Sequence, residues 1–77
     1  MTLSDSDFKR IEKFRKVIRH VAYGGNTSNS DIWPVMNQIK YEHTGTWSRS
    51  DCDACKVELF QEFENYIVEY EKRSAFI

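Results

Sequence analysis

Cys52 and Cys55, with His20 and His43, are the residues in this 77-residue chain whose types suit metal or thiol chemistry. Zinc needs four ligands converging tetrahedrally, and paired cysteines usually offer two of them from a tight turn containing Gly or Pro. Here both thiols fall at the start of an expected helix with no glycine beside them, although their i, i+3 spacing puts both sulfurs on one face. A small structural zinc module built on Cys52, Cys55, His20 and His43 is therefore the third-ranked reading. A redox pair would use the helix N-terminus to lower a thiol pKa, but such sites follow a strand in a βαβ unit. No strand pattern is present, and Asp51 and Asp53 would oppose a thiolate. The preferred reading places both cysteines as reduced, small apolar residues on a core stripe.

Other catalytic patterns are lacking. The sequence holds no glycine-rich phosphate loop, no serine elbow and no paired-histidine helix of a zinc protease. A pocket of several hundred Å³ is hard to build inside three short helices. A non-enzyme without a cofactor is expected.

Charge is the more informative signal. Residues 5–22 carry Lys9, Arg10, Lys13, Arg15, Lys16 and Arg19 against Asp5, Asp7 and Glu12, whereas residues 51–73 are dominated by acids. Such asymmetry marks either a charged partner or an internal pairing of faces. Lys9, Lys13, Lys16 and His20 recur at i, i+4, i+7 and i+11, one stripe opposite the apolar face, which suits phosphates or an acidic protein surface. The net charge of −1, the want of aromatic residues among the lysines and the acidic last helix all weigh against nucleic acid. A nucleic-acid-associated protein using this stripe is the runner-up.

The elements that must position these residues are three helices. Ser4 with Asp7 is a capping-box variant, and Leu3 with Phe8 forms a hydrophobic staple. Phe8, Ile11, Phe14, Ile18, Val21 and Ala22 then recur at helical spacing, predicting a first helix over 5–22 ended by Gly24-Gly25. A polar loop over 26–30 follows, in which the glycosylation match Asn26-Thr27-Ser28 is read as chance. A second helix over 31–42 is capped by Asp31, shows Ile32, Val35, Met36 and Ile39 on one face, and is stopped by Gly45. The third, over 51–73 with Ser48 or Ser50 as cap, gathers Cys52, Cys55, Leu59, Phe63, Tyr66, Ile67 and Tyr70 on its stripe. No segment alternates with period two. The expected fold is all-α, a small antiparallel three-helix bundle forming a single domain over 1–77.

Several apolar residues exceed what such a core needs. Val57 and Val68 project from the back of the third helix with Phe60 at their edge, Trp33 falls beside its stripe, Trp47 sits in a loop, and the chain ends Ala75-Phe76-Ile77. The third helix, at ~34 Å, would also outrun the second at ~16–18 Å. Together with Lys9, Lys13, Lys16 and His20 these residues form the candidate partner-binding set. No run is apolar enough to span a bilayer, and Met1 to Asp5 resemble no signal peptide, so a cytoplasmic protein is expected. The functional expectation is a small protein-binding module acting stoichiometrically as a regulator, inhibitor or accessory subunit, a size class that includes viral and mobile-element factors. A homodimer is the alternative to a heterologous protein partner.

Overall fold

The computed structural model describes residues 2–25, 31–49 and 51–75. The predicted loop over 26–30, the Ser50 cap and the tail residues Phe76 and Ile77 lie outside that set. Ser4 opens the first helix, α1 (Asp5–Ile11), through a reciprocal capping box. Its hydroxyl accepts the Asp7 N–H, and its own N–H donates to the Asp7 carboxylate, each at 3.1 Å.

The predicted continuous helix is interrupted. A 3₁₀ turn at Glu12–Phe14 separates α1 from α2 (Arg15–Ala22). The apolar residues explain the break, because Phe8, Ile11 and Phe14 are spaced by three, matching a 3₁₀ helix better than a period of 3.6. From Phe14 onward the spacing returns to four and three, and α2 buries Ile18, Val21 and Ala22. The N–H groups of Gly24 and Gly25 close α2 onto the carbonyls of Val21 and His20.

Helix α3 (Ile32–Thr44) runs two residues beyond its predicted end. Asp31 occupies the N-cap position as expected, with helical backbone angles and without a side-chain capping hydrogen bond. Gly45 stops the helix in the left-handed conformation at φ 73°, its N–H on the Tyr41 carbonyl at 2.8 Å. A Cβ at Gly45 would meet nothing within 4 Å, so substitution is resisted by the backbone alone. Gly45→Ala is expected to cost about 1–2 kcal/mol. Thermal unfolding followed by circular dichroism reads this as a Tm lower by about 4–8 °C per kcal/mol.

Helix α4 (Asp53–Ala75) starts later than predicted, and Ser48 lies too far before it to serve as its cap. Ser48 instead holds the preceding segment to α3, its N–H donating to the Asn37 side-chain carbonyl at 2.8 Å and its hydroxyl accepting from the Lys40 ammonium at 2.8 Å. Cys52 stands at the cap position, with Sγ accepting the Cys55 N–H at 3.2 Å and its carbonyl accepting the Lys56 N–H at 3.1 Å.

The arm made of α1, the turn and α2 packs with α3 and α4 into an all-α three-helix bundle, and no strand occurs among the described residues. The arm runs antiparallel to α4, as the pairs Arg15–Glu71, Arg19–Glu64 and Ala22–Gln61 show. Leu3, Ile11, Ile18, Ile32, Met36, Ile39, Leu59, Phe63 and Ile67 are fully buried where the three meet.

Three expectations about α4 are corrected. Its C-terminal half does not overhang, because the N-terminal segment covers it. Phe8 stacks on Tyr70 at 4.3 Å, the Tyr70 hydroxyl donates to Asp5 at 2.6 Å, and Arg73 donates to the Leu3 carbonyl at 2.9 Å. Phe60 is buried rather than peripheral, because α4 is embraced from two sides and its buried face widens to Phe60 and Glu64. Cys52 and Cys55 are paired as a disulfide, Cα atoms 5.2 Å apart, and both are partly exposed instead of forming core stripe. The helix begins between them, which turns the Cys52 side chain back over the first turn beside Cys55.

Candidate functional site

The cations of the basic arm divide into two populations. Arg10 bonds Glu42 of α3 at 3.1 Å and approaches Asp7 at 3.9 Å. Arg15 pairs with Glu71 at 2.8 Å and Arg19 with Glu64 at 2.9 Å, both on α4. All three arginines thus serve as internal struts, and the planar guanidinium suits that fixed pairing. Lys9, Lys13 and Lys16 are exposed and have no ion pair among the described residues. Lys13 leans its ammonium over the Phe14 ring at 5.2 Å. Beside Lys9 and Arg10, an open depression of about 420 Å³ is bordered by Asp5 and Ser6.

The 3₁₀ turn re-aims this stripe. Three residues at 120° instead of 100° rotate α2 by roughly 60° relative to a continuous helix. Lys9, Lys13, Lys16 and His20 therefore wind around the arm instead of running straight along it. His20 is exposed, and its ring lies against Gly25 so closely that a side chain added there would displace the ring. Tyr23, four-fifths exposed, follows at helical spacing from Lys16 and His20 and ends the stripe in an aromatic ring. Sequence reasoning overlooked it, although an aromatic residue off the apolar stripe was a usable signal.

On the arm's inner side, Asp7 is buried and accepts a 2.6 Å hydrogen bond from His43 Nε2 as well as the Ser4 N–H. Burial pushes its carboxyl up, but the bonds from His43 and Ser4 outweigh that and hold it below its usual value of 3.8. His43 is thus tied to α1 through Asp7, whereas His20 belongs to the outer stripe. Among the described residues no three His, Cys, Asp or Glu side chains converge as metal ligands, so the set Cys52, Cys55, His20 and His43 is not brought together.

The remaining candidates are scattered. Trp33 is half-buried against the core with the Lys56 ammonium 5.9 Å from its ring. Trp47 is half-exposed and stacks on Tyr41 at 4.3 Å, an exposed aromatic pair of which sequence reasoning saw only one member. Val57 is exposed and Val68 half-buried, and with Phe60 in the core they make no continuous apolar patch. On α4, Glu58, Glu62 and Glu69 are exposed without ion pairs among the described residues. Glu58 and Glu62 border a depression of about 190 Å³ with Lys40, Trp47 and Cys55. Burial and the neighbouring Glu62 and Glu69 raise the Tyr66 hydroxyl above its usual value.

What the fold defines is a small all-α three-helix bundle whose outer arm presents three lysines without an ion pair among the described residues and ends at an exposed tyrosine. Compared with protein-family models, with curated proteins and with solved structures, the chain gives no match. Among the described residues no helix is long and apolar enough to cross a membrane.

Proposed function

We propose that the chain is a small, non-enzymatic protein-binding module acting stoichiometrically, as a regulator, inhibitor or accessory subunit, through the winding face of Lys9, Lys13, Lys16, His20 and Tyr23. The observation that carries this reading is the sorting of cations on one arm. Arg10, Arg15 and Arg19 are each used internally, while the lysines beside them have no carboxylate partner among the described residues. Holding three like charges together in water costs stability, and an acidic partner would repay it. Tyr23 supplies the amphipathic ring that anchors protein interfaces.

An acidic protein surface fits better than nucleic acid. The exposed carboxylates of Glu58, Glu62 and Glu69 on α4 oppose phosphate, and the lysine face offers no Arg, Asn or Gln to read base edges. The cytoplasm remains the compartment this reading assumes.

Replacing Lys9, Lys13 and Lys16 together with glutamate is expected to leave helicity intact, because all three are exposed. Affinity capture from a host extract treated with nuclease should retain a protein on the wild type and lose it on the triple variant. Association with that protein should slow as salt rises for the wild type and be nearly salt-independent for the variant. Retention of the same protein by the variant would refute the assignment, and loss of all capture after nuclease would favour the nucleic-acid reading. Sedimentation equilibrium over a concentration series decides separately whether the partner is a second copy.

A further inference from the structure

The Cys52–Cys55 pair is not used by the lysine face. A bond spanning a sequence separation of three closes a short loop and constrains the unfolded chain less than a long-range crosslink would. Its setting has a different consequence. Cys52 occupies the residue before α4, where Ser, Thr, Asp or Asn ordinarily supplies an oxygen to the free N–H groups. Its sulfur receives the Cys55 N–H at 3.2 Å, and the positive end of a 23-residue helix points toward it. Both features favour the anionic form of a sulfur at that position.

The neighbouring charges are nearly balanced. Arg49 engages Asp51 through two bonds of 3.1 and 3.0 Å, so that carboxylate is compensated. Asp53 and Lys56 flank Cys55 in sequence with opposite charges, the Lys56 ammonium lying 5.9 Å from the Trp33 ring centroid. Both cysteines are partly exposed, and Cys55 borders the open depression shared with Lys40 and Glu58.

We propose that Cys52 and Cys55 form a reversible dithiol–disulfide couple that exchanges with low-molecular-weight disulfides of the glutathione type, with Cys52 as the entry sulfur. In the oxidising direction, the Cys52 thiolate attacks one sulfur of the small disulfide. A mixed disulfide forms, and the displaced thiolate takes up a proton. Cys55 then loses its proton and attacks the Cys52 sulfur, releasing the second small thiol. The protein loses two electrons and two protons in all, and one small disulfide becomes two thiols. The reverse sequence reopens the bond.

The test uses oxidised glutathione as the probe, with adducts followed by mass spectrometry at neutral pH. Reduced Cys55→Ser should accumulate a stable glutathione adduct on Cys52 about tenfold faster than reduced Cys52→Ser does on Cys55. Equal rates, or faster reaction at Cys55, would overturn the proposal. If circular dichroism shows that either variant is unfolded, limiting iodoacetamide on the reduced wild type replaces this arm. Peptide mapping should then find Cys52 labelled first, and the opposite order refutes it. Wild type equilibrated in buffers of graded reduced to oxidised glutathione should pass from dithiol to disulfide within the series. A bond that survives the most reducing mixture is a structural crosslink, and one absent from the most oxidising mixture is no couple; either result rejects the proposal.

Discussion

Phe63→Ala is expected to leave the protein largely unfolded at room temperature. Phe63 is wholly buried at the junction of the three helices and meets Tyr66 edge-on at 5.6 Å. Truncating a buried phenylalanine removes its transfer free energy and leaves a cavity, at a cost of about 3–5 kcal/mol. A core of this size supplies only about 3–5 kcal/mol in total, so the loss consumes the whole margin. Far-ultraviolet circular dichroism with urea titration measures it. The wild type should give a cooperative transition with a folded baseline, and the variant should have little or none. Val57→Ala is the control, since Val57 is exposed and surface changes usually stay within about 0.5 kcal/mol. A Phe63→Ala variant that melts like the control would mean that the helices do not meet at this ring.

The second large effect concerns Asp7. Its carboxylate joins α1 to α3, accepting from Ser4 at the start of α1 and from His43 on α3, and lying within 3.9 Å of Arg10. Asp7→Asn keeps the shape but removes the charge and presents a donor where donors already converge. Hydrogen bonds to a charged group are worth about 1.5–3 kcal/mol, so a loss of about 2 kcal/mol is expected at neutral pH. The pH dependence has a definite sign. The folded carboxyl lies below 3.8, so its contribution is fully present above that value and fades as pH falls through the lowered one. The stability gap between wild type and variant should therefore be wide at about pH 6 and narrow toward about pH 2. Urea midpoints across that range test this. A gap that stays constant would show that Asp7 stabilises by packing and capping alone, without its charge.

Both effects bear on function through the same arm. Phe63 supplies the floor on which the arm rests, and Asp7 ties the start of the arm to α3. The lysine face can keep a definite shape for an acidic partner only while both hold. Arg15–Glu71 and Arg19–Glu64 serve the same end along α4, at the cost of burying Glu64 with one oxygen lacking a hydrogen-bond partner.

The sequence by itself determined the elements and their class. Ser4 and Asp7 form the capping box, Gly45 takes the left-handed stop, and the stripes Ile32–Met36–Ile39 and Leu59–Phe63–Ile67 are the buried ones. These are local matters, decided by propensity, caps and periodicity within a few residues, and the three-helix fold follows from them. The exposure of Lys9, Lys13 and Lys16 was legible for the same reason, because a face opposite the apolar stripe must point outward. The interruption at Glu12–Phe14 was also written in the three-residue spacing of Phe8, Ile11 and Phe14, yet a helical template absorbs such spacing without notice.

Only the tertiary structure decided which charges are spent and which remain. Whether Arg19 meets Glu64, or Arg15 meets Glu71, depends on the relative rotation of two helices separated by more than forty residues, and no local pattern encodes that angle. The same holds for Asp7 with His43, for the burial of Phe60 between two neighbours, and for the cover that Leu3, Asp5 and Phe8 give to the end of α4. Cys52 and Cys55 fall between the two cases. Their spacing put the sulfurs on one face, but the residue at which α4 begins turned one into the helix cap and joined it to the other. Helix starts are set by competition among several nearby caps, and here the tertiary bonds of Ser48 to Asn37 and Lys40 withdrew it from that competition.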